Sequence, residues 1–385
     1  MKILFISHDA NRAGAQLFLL NIMQYLHKKD VSMYLLLLGD GVLEKQFAEV
    51  SSVYKYPKPK ENNSFYSKTI SKLIPKQDRQ KAQLYSSFLS ENFDLIYANT
   101  IATAWVLPEL LGFIKTPLIT HIHELEFSIQ LYSTKQDREF LFNNTTKLIA
   151  CSKAVAENIV EKHHFSAEKT AIIHSFIDNE KVIKRSQSTN IEAIKQKYNL
   201  PKDSFLIGGC GNAEWRKGID IFALIASQVL ELSEENTFHF VWVGVKKESE
   251  YYEQICYDIR KLGIQKYITF IEQTPDAIEL ITCFDIFTLV SREDPFPLVM
   301  LEAAIAQKTI IGFEKTGGCS EFLETDAGIL VPYLNTNKMA LKIIDLYKNQ
   351  TFALELGQNA KEKVLNKYSF DNSIVKIEEL LNRYS

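Results

Sequence analysis

The sequence has no apolar run that approaches the roughly 20 residues a membrane-spanning helix needs. The longest, Tyr34–Leu38, has the length of a buried strand. The N-terminal segment Met1–Ser7 is too short for a signal peptide and has no cleavage-like site, and it predicts a first β-strand instead. These absences favour a cytoplasmic protein.

Cysteine is scarce and unpatterned. None of the five cysteines forms a CxxC pair: Cys151, Cys210, Cys256, Cys283 and Cys319. A disulfide framework would need an even, clustered set, and a structural zinc site would need closely spaced ligands. We therefore expect reduced thiols and no metal site.

Positive charge is not in excess. Lys and Arg number 44 against 47 Asp and Glu, a formal net charge of −3, so nucleic acid is not an expected partner. The sequence also lacks a GxGxxG turn followed by an acid, which argues against an NAD-dependent dehydrogenase.

The sequence does contain an alternation of short apolar runs and longer segments of helical period. Its 385 residues exceed one ordinary core, so two domains are expected. The predicted strands are 2–7, 32–38, 95–98, 118–121, 147–150 and 171–174, and then 205–209, 238–243, 268–271, 286–290, 309–313 and 329–332. The predicted helices are 15–28, 82–91, 152–163, 218–232, 251–262, 277–283 and 298–306.

Near-continuous apolar strands separated by helices predict parallel sheets covered on both faces. Because the pattern restarts near residue 205, we predict two Rossmann-like, doubly wound domains facing each other across a cleft, with ligands beyond the carboxyl ends of the strands. The expected boundaries are a first domain at 1–180, a polar linker at 181–202, a second domain at 203–365 and a terminal helix within 366–385.

Residues 54–81 depart from this pattern. The segment holds eight Lys and Arg against Glu61 and Asp78, interleaved with aromatic and aliphatic residues. Two interpretations stay open. It is either a solvated loop followed by a surface helix, or a basic amphipathic flap that touches an anionic membrane surface or an anionic acceptor.

Two loops that join a strand to a helix carry glycine or charge. The loop after strand 205–209 leads to the adjacent cations Arg216 and Lys217, which could stabilise a diphosphate as charge grows on a leaving group. The alternative is a charged surface turn. The loop Asn11–Gln16 gives a weaker signal, since a glycine and a helix N-terminus there also favour anions.

The segment Ser291–Glu302 is the most specific. A strand ends at Val290, acids and prolines form a turn, and an apolar helix follows. Glu302 lies among apolar residues, where a carboxylate needs a partner that ligand hydroxyls would supply. The alternative is an N-capping Asp294 followed by a salt-bridged helix face.

Within this segment, Asp294–Ala303 resembles the E-x7-E motif of family 4 retaining glycosyltransferases, usually written E-P-F-G-L-x-x-x-E-A. Five other segments resemble motifs of that family in the family's order, and together they span almost the whole chain. They are His121–Glu124 (H-D), Ala150–Val155 (V-S-x-A), Ile173–Asp178 (V-I-x-N-G-V-D), Cys210–Gly218 (a phosphate-binding loop ending in K-G) and Thr316–Glu321 (G-G-x-x-E).

The resemblance implies a GT-B fold, in which the first domain binds the acceptor, the second binds the nucleotide sugar and the terminal helix returns to the first. It assigns the ribose hydroxyls to Glu302, the transferred sugar to Asp294 and the diphosphate to Lys217. Asp294 is one methylene shorter than the family's glutamate. Asn212 stands where the family often has arginine, so Arg216 is expected to replace that charge.

The same resemblance implies the remaining positions. Pro297 replaces the family's glycine, so backbone contacts fall to Phe296, Leu298 and Val299. Gly14 would approach the donor diphosphate, and Gln273 and Thr274 would lie in the base-binding loop. The acceptor side would comprise Arg12, His121, His123 and Glu124, of which His123 lies near the reacting sugar. The implied catalytic residues are His123, Asp294, Lys217 and Arg216.

The implied activity is a retaining hexosyl transfer that needs neither a metal nor a cofactor. The donor would be a nucleotide sugar such as a UDP-sugar, and the acceptor a glycan or lipid-linked glycan, as in bacterial cell-surface polysaccharide synthesis. The enzyme would act in the cytoplasm, with segment 54–81 as a candidate contact with the inner face of the plasma membrane. The absence of an Asp-x-Asp motif and of an obvious nucleophile with a paired base fits this activity.

Two alternatives stay open. The departures at Asp294, Pro297 and Asn212 are compatible with a non-catalytic subunit that only binds a nucleotide sugar. A nucleotide-sugar 2-epimerase of the same fold would use the same donor without any acceptor.

Overall fold

The computed structural model describes residues 1–57, 76–233 and 237–384, without the side chains of residues 76–79. Most of the basic segment 54–81 therefore lies outside the described residues. The chain divides into two compact units. The first contains residues 1–151, 155–173 and those from Ile374 onward, and the second contains residues 152–154 and 174–373.

The first unit is built on a parallel sheet. Its strands are β1 Lys2–Ser7, β2 Ser32–Leu37, β3 Ser52–Lys55, β4 Leu95–Asn99, β5 Leu118–Ile122, β6 Lys147–Ala150 and β7 Thr170–Ile172. Within the described residues they run in the order β3-β2-β1-β4-β5-β6-β7. The order reverses between β1 and β4, where Ser7 pairs with Asn99. Ligands of doubly wound sheets bind outside the strand ends at such a reversal.

Helices follow the strands of this sheet in sequence. Every residue of β4 and of β5 is buried, as expected for strands covered on both faces. The helices are α1 Gly14–His27, α2 Glu44–Ala48, α3 Lys76–Glu91, α4 Leu107–Phe113, α5 Glu126–Tyr132, α6 Lys135–Asn144 and α7 Lys153–His163. A 3-10 helix at Ile101–Val106 follows β4 directly.

The second unit repeats this design. Its strands are β8 Phe205–Cys210, β9 Phe238–Val245, β10 Ile268–Glu272, β11 Ile286–Leu289, β12 Thr309–Phe313 and β13 Ile329–Val331. In the part of the chain that the structure describes, all are parallel and run β10-β9-β8-β11-β12-β13. The reversal here lies between β8 and β11, so the loops that follow these two strands meet at one edge.

The helices of this unit precede, separate and follow its strands along the chain. They are α8 Asn179–Gln187, α9 Ile191–Lys197, α10 Ile219–Leu232, α11 Glu250–Leu262, α12 Ala277–Cys283, α13 Leu298–Ile305, α14 Cys319–Leu323, α15 Thr336–Lys348, α16 Gln350–Lys367 and, at the end of the chain, α17 Phe370–Leu381. From Ile374 onward α17 belongs to the first unit, where the Tyr25 hydroxyl donates a 2.6 Å hydrogen bond to Glu378.

The predicted fold class of two Rossmann-like parallel-sheet domains is confirmed. The structure adds helices that the sequence expectations did not include, such as α4, α6 and α16, and two further details differ. Strand β3 was not predicted, and the stretch 181–202, expected as a polar linker, holds most of α8 and all of α9. Both helices belong to the second unit.

Candidate active site

The loop between β8 and α10 is shaped by glycine. Gly218 has a φ of +74°, and a Cβ on it would lie 2.1 Å from the carbonyl oxygen of Val290, at the end of β11. Gly244, near the end of the neighbouring strand β9, has a φ of +111°, and a Cβ there would lie 2.5 Å from the carbonyl oxygen of Gly211. Only glycine fits both positions. The loop is thereby pressed against the residues that follow β11.

This packing brings two cations onto one carboxylate. The Nζ of Lys217 lies 2.6 Å from Oδ2 of Asp294, and Nη1 of Arg216 lies 3.5 Å from its Oδ1. The hydroxyl of Ser291 donates to the same Oδ2 at 3.1 Å. Burial acts to raise the pKa of Asp294, but Lys217 and Arg216 outweigh it and hold that pKa below its usual value. The carboxylate is therefore charged at neutral pH.

Asp294 is enclosed by its protein partners. The residue is only 5% exposed, and both carboxylate oxygens face protein cations. Its contact with a transferred sugar stays a prediction. In the structure, the carboxylate of Asp294 fixes the position of Lys217.

The two cations are engaged to different extents. Arg216 donates to the carbonyl of Glu293 at 3.0 Å and to Glu214 at 2.9 Å, in addition to facing Asp294. Lys217 has Asp294 as its side-chain partner among the described residues. An ammonium group has three donors, so Lys217 keeps hydrogen-bonding capacity for an anionic ligand.

Glu302 lies on α13 in the opposite situation. Pro297 precedes this helix with a φ of −65°, so its missing N–H removes no hydrogen bond within the helix. The carboxylate of Glu302 has no hydrogen-bond partner in the described part of the chain. Burial raises the pKa of Glu302 to about 7, although Arg185 and Lys181 of α8 oppose that rise. A ligand that donates hydrogen bonds would satisfy this carboxylate.

Cys210, at the end of β8, responds to the charges of both Glu302 and Lys217. Burial raises the pKa of the Cys210 thiol to about 12, with Glu302 adding to the rise and Lys217 opposing it. Both charges therefore act on the same strand end. The predicted diphosphate residue and the predicted ribose residue share one edge of the sheet.

The predicted base-binding residues border the same loop. The Gln273 amide donates to Oδ1 of Asn212 at 2.7 Å, which joins the loop after β10 to the loop after β8. The Thr274 hydroxyl lies 2.8 Å from that of Tyr198. Asn212 and Gln273 are exposed, so both remain open to a ligand.

The turn before α13 has a buried anchor. Phe296 is 5% exposed and packs against His174 and Tyr368, with ring centroids 5.0 and 5.4 Å away. Its side chain therefore holds the turn in place. Leu298 and Val299 begin α13 and are half-buried, and the amides of a first helical turn have no acceptor within their own helix.

The first unit carries a second polar cluster at its own reversal point. The Thr100 hydroxyl lies 3.0 Å from Nδ1 of His8, and Gln16 Nε2 lies 3.0 Å from the other ring nitrogen. Gln16 also donates to Asp9 at 2.5 Å. Thr100 has a φ of +77°, which is strained for a β-branched residue and typical of functional sites.

His123 lies in this cluster, where the resemblance placed a histidine near the reacting sugar. Its Nε2 is 2.9 Å from Oδ1 of Asn99, and its ring stacks on His121 with centroids 4.0 Å apart. Burial, assisted by His8, lowers the pKa of His123 to about 3. The imidazole is therefore neutral at physiological pH.

His121 does not reach the surface as an acceptor-side residue would. It is 0% exposed, and its Nδ1 is 2.6 Å from the buried hydroxyl of Tyr97. Its side chain lies in the core beside β5, and its ring stacks against the ring of His123. Burial lowers the pKa of His121 well below the usual histidine value.

The other residues expected on the acceptor side are more accessible. Glu124 accepts hydrogen bonds from the amides of His123 at 2.8 Å and Ile101 at 3.3 Å, so part of its role is to hold the backbone. Arg12 is exposed, and Gly14 is the first residue of α1. Gly14 belongs to the first unit, whereas the other predicted donor residues belong to the second.

Several residues of these clusters escaped the sequence analysis. His8, Asn99 and Thr100 follow or end β1 and β4, the two strands at the reversal point. Ser291 holds the same place after β11. The signal that could have revealed them is a polar residue directly after a buried strand, but its value depends on which strands are neighbours.

Two features that would indicate other functions are absent from the described residues. Within the described ranges, no group of three or more His, Cys, Asp or Glu side chains is arranged to hold a metal ion. None of the helices given above combines the length and apolar character that crossing a bilayer requires.

Two family models match the chain. The model described as Glycosyltransferase Family 4 matches residues 12–181, and the model described as Glycosyl transferases group 1 matches residues 190–363. The first match lies almost wholly in the first unit, and the second lies in the second unit.

Curated proteins show distant similarity. The chain is 23% identical over 268 residues to the poly(ribitol-phosphate) alpha-N-acetylglucosaminyltransferase of Staphylococcus aureus, which covers 69% of this chain and 50% of that protein. It is 21% identical over 239 residues to the capsular polysaccharide biosynthesis glycosyltransferase CapM of Staphylococcus aureus, covering 62% of each. The matches thus span about half to two thirds of these relatives.

Solved structures show the same fold. HepE from Anabaena, crystallised with UDP and with UDP-glucose, superposes with a TM-score of 0.80 at 20% identity, and the match covers 100% of both chains. This similarity confirms the GT-B architecture.

Proposed function

The chain belongs to the family 4, group 1 glycosyltransferases, and we propose that it transfers a hexosyl residue from a nucleoside-diphosphate sugar to a hydroxyl group of a glycan or lipid-linked glycan. One observation carries the proposal. At the reversal point of the second sheet, a lysine with spare hydrogen-bond donors follows β8, and a carboxylate that has no partner among the described residues lies on the helix that follows β11. This is the pairing that a diphosphate and a ribose diol require.

The donor would bind along the edge formed by β8, β11 and α13. Lys217 would bind the diphosphate, with Arg216 as a weaker contributor because other acceptors already engage it. Glu302 would accept hydrogen bonds from the ribose hydroxyls. The amides of Leu298 and Val299 would face the phosphate oxygens. The base would lie against the loop at Gln273.

We place the chemistry in the retaining class with a front-face mechanism. The bond between the anomeric carbon and the diphosphate oxygen breaks, and that oxygen takes the proton of the acceptor hydroxyl. The acceptor oxygen then bonds to the anomeric carbon on the same face. The protein supplies positioning and charge stabilisation, and Lys217 contributes most as negative charge grows on the diphosphate. No metal or cofactor takes part in this scheme.

The acceptor is proposed to be a growing cell-surface polysaccharide or its lipid-linked precursor, because the relatives are named for polymer modification and capsule biosynthesis. A lipid-linked acceptor would be met at a membrane surface. We therefore propose a cytoplasmic enzyme with peripheral membrane contact through residues 54–81.

The direct test is transfer from a panel of nucleotide sugars that includes UDP-glucose, using glycan acceptors and following the anomeric configuration of the product by NMR. The expected product has the configuration of the donor, and a chelator leaves the rate unchanged. Lys217→Ala should lower the rate about 10- to 100-fold, as expected for losing a charge-assisted hydrogen bond. Arg216→Ala should lower it less, and Lys261→Ala, on the exposed face of α11, should not.

Four outcomes would contradict the proposal. An inverted product or inhibition by the chelator would refute the mechanism. Donor binding without transfer to any acceptor would favour a binding subunit. Conversion of the donor alone would favour an epimerase.

A further inference from the structure

The orientation of the Asn99 side-chain amide is fixed by a backbone carbonyl. Its Nδ2 donates to the carbonyl oxygen of Ala15 at 3.2 Å. A carbonyl oxygen can only accept, so the nitrogen of the amide must face Ala15. The amide oxygen of Asn99 is thereby left facing His123.

This orientation determines which nitrogen of His123 carries the proton. Oδ1 of Asn99 lies 2.9 Å from Nε2 of His123, and an amide oxygen can only accept. Nε2 must therefore be the protonated nitrogen. In a neutral imidazole the other nitrogen, Nδ1, then has a lone pair. Nδ1 has no hydrogen-bond partner in the described part of the chain, and the ring is partly exposed.

The neighbours of His123 keep its ring in place and uncharged. His121 stacks beneath it, and Phe18 packs edge-on with centroids 5.5 Å apart. The titratable groups around it are His8, His121 and Glu124, and the carboxylate of Glu124 is held by backbone amides. The ring is consequently a fixed, neutral hydrogen-bond acceptor.

We propose that Asn99 is a positioning residue that locks His123 in the Nε2–H tautomer, so that Nδ1 accepts a hydrogen bond from a hydroxyl group of the sugar substrate. The proposal rests on the function proposed above, since that function supplies the hydroxylated ligand. It deepens that function by specifying the chemistry of the contact. Nδ1 accepts from a hydroxyl group and repels a carboxylate at the same place.

The tautomer can be measured without any catalysis. In protein labelled with ¹⁵N-histidine, the nitrogen shifts of His123, assigned with His123→Gln, should show a protonated Nε2 and an unprotonated Nδ1 at pH 7. In Asn99→Ala the two tautomers should both be populated. Asn158→Ala removes another buried asparagine of the same unit, which donates to Glu126 at 3.1 Å, and it should leave the His123 signals unchanged.

The kinetic consequences separate positioning from folding. Asn99→Ala should lower kcat roughly tenfold, about the effect of one lost hydrogen bond, without changing UDP affinity. In Asn99→Asp the new carboxylate keeps the proton on Nε2 but raises the pKa of His123. Its rate should recover toward wild type at high pH and fall as the pH decreases, because an imidazolium has no lone pair on Nδ1.

A wild-type His123 protonated on Nδ1, or an unchanged tautomer in Asn99→Ala, would overturn the lock. A changed tautomer with normal kinetics in both Asn99 variants would overturn its role in transfer. If the wild type transfers no sugar at all, the proposed function fails, and the tautomer measurement still decides the lock.

Discussion

Asp294 and Glu302 flank the same turn but have opposite surroundings. Asp294 faces two cations and a hydroxyl, which hold its pKa low. Glu302 is half-buried without a hydrogen-bond partner among the described residues, and burial raises its pKa to about 7. A carboxylate that is already paired with cations of the protein, like Asp294, can organise a site. A carboxylate without such partners, like Glu302, is available to a ligand.

Asp294→Asn should show how much the ion pair between Asp294 and Lys217 contributes to the free energy of unfolding. The pKa of Asp294 is lower in the folded state, so its charge stabilises the fold at neutral pH, and this contribution is lost as the pH falls through the folded pKa. Removing the charge leaves a poorly solvated lysine unpaired, at a cost of about 3–5 kcal/mol. Denaturant unfolding at pH 7 should show this loss, and the variant should lose less stability than wild type on acidification.

Asp345→Asn, at an exposed ion pair, is the control, and its free energy of unfolding should change little. Equal stability of Asp294→Asn and wild type would contradict the stabilising role of the ion pair between Asp294 and Lys217.

Glu302 should make donor affinity depend on pH. Its carboxylate accepts two hydroxyl hydrogen bonds only when ionised, and its pKa is about 7. UDP-glucose has no phosphate group that titrates near neutrality, so calorimetry with this ligand isolates Glu302. Affinity should be roughly tenfold weaker at pH 6 than at pH 8.5, because one pH unit below a pKa leaves about a tenth of the group ionised.

Glu302→Gln provides the comparison. It should bind UDP-glucose roughly 10- to 100-fold more weakly at pH 8.5, as for a lost charged hydrogen bond, and it should show no pH dependence over this range. A pH dependence that persists in this variant would assign the titration to another group.

Single residues were predictable from the sequence where the signal is local. Lys217 and Glu302 stand in motifs that can be recognised along the chain. Thr100 and His8 lie 92 positions apart and meet only because β4 pairs with β1. Asp294 likewise meets Lys217 only because the loop between β8 and α10 packs against the residues after β11. No single sequence motif specifies this packing.

At the scale of elements, both clusters lie at reversal points of their sheets. The elements around them were predictable because strands such as β4 and β9 are buried along their whole length and are mostly apolar in sequence. Strand β3 escaped because it is a four-residue edge strand with a half-exposed pattern. Helices α8 and α9 escaped because α8 buries only Val182 and α9 buries no residue. Their N-caps, Asp178 and Asn190, were the available signal.

Gly218→Ala tests the loop that carries the cations. The new Cβ would clash with the carbonyl of Val290 and strain a positive φ, so the loop must shift and take Lys217 with it. We expect a loss of about 1–3 kcal/mol in stability and a clear loss of UDP affinity. Gly263→Ala has a similar φ of +70° but open space around its Cβ. It should lose about 1 kcal/mol and keep full affinity. Equal UDP affinity in both variants would show that loop geometry is unimportant.

At the scale of the whole molecule, charge is unevenly distributed. Segment 54–81 holds eight Lys and Arg, whereas the rest of residues 1–180 carries 12 Lys and Arg against 17 Asp and Glu. Two of the eight are engaged at the ends of the segment, Lys55 with Asp40 and Glu44, and Lys81 with Glu109. The proposed membrane contact therefore depends on the other six, whose side chains lie outside the described residues. The sequence reveals this excess of charge but cannot identify what it binds.

We expect the protein to bind vesicles that contain anionic phospholipid and to be released by salt. Each lysine near such a surface contributes up to about 1 kcal/mol, and salt screens the attraction within about a Debye length. Replacing Lys68, Lys72 and Lys76 with Glu should abolish vesicle sedimentation at low salt. UDP affinity should not change, because the proposed donor residues other than Gly14 lie in the second unit.

A matched variant separates this local effect from net charge. Replacing Lys28, Lys135 and Lys162 with Glu changes the charge of the first unit by the same amount at exposed positions elsewhere. If the segment itself meets the membrane, this control keeps most of its vesicle binding, and the segment variant does not. Equal losses in both would show that only total charge matters. If the wild-type protein does not bind anionic vesicles at low salt, segment 54–81 has no role in membrane binding. A lipid-linked acceptor would then be recognised without membrane contact through this segment.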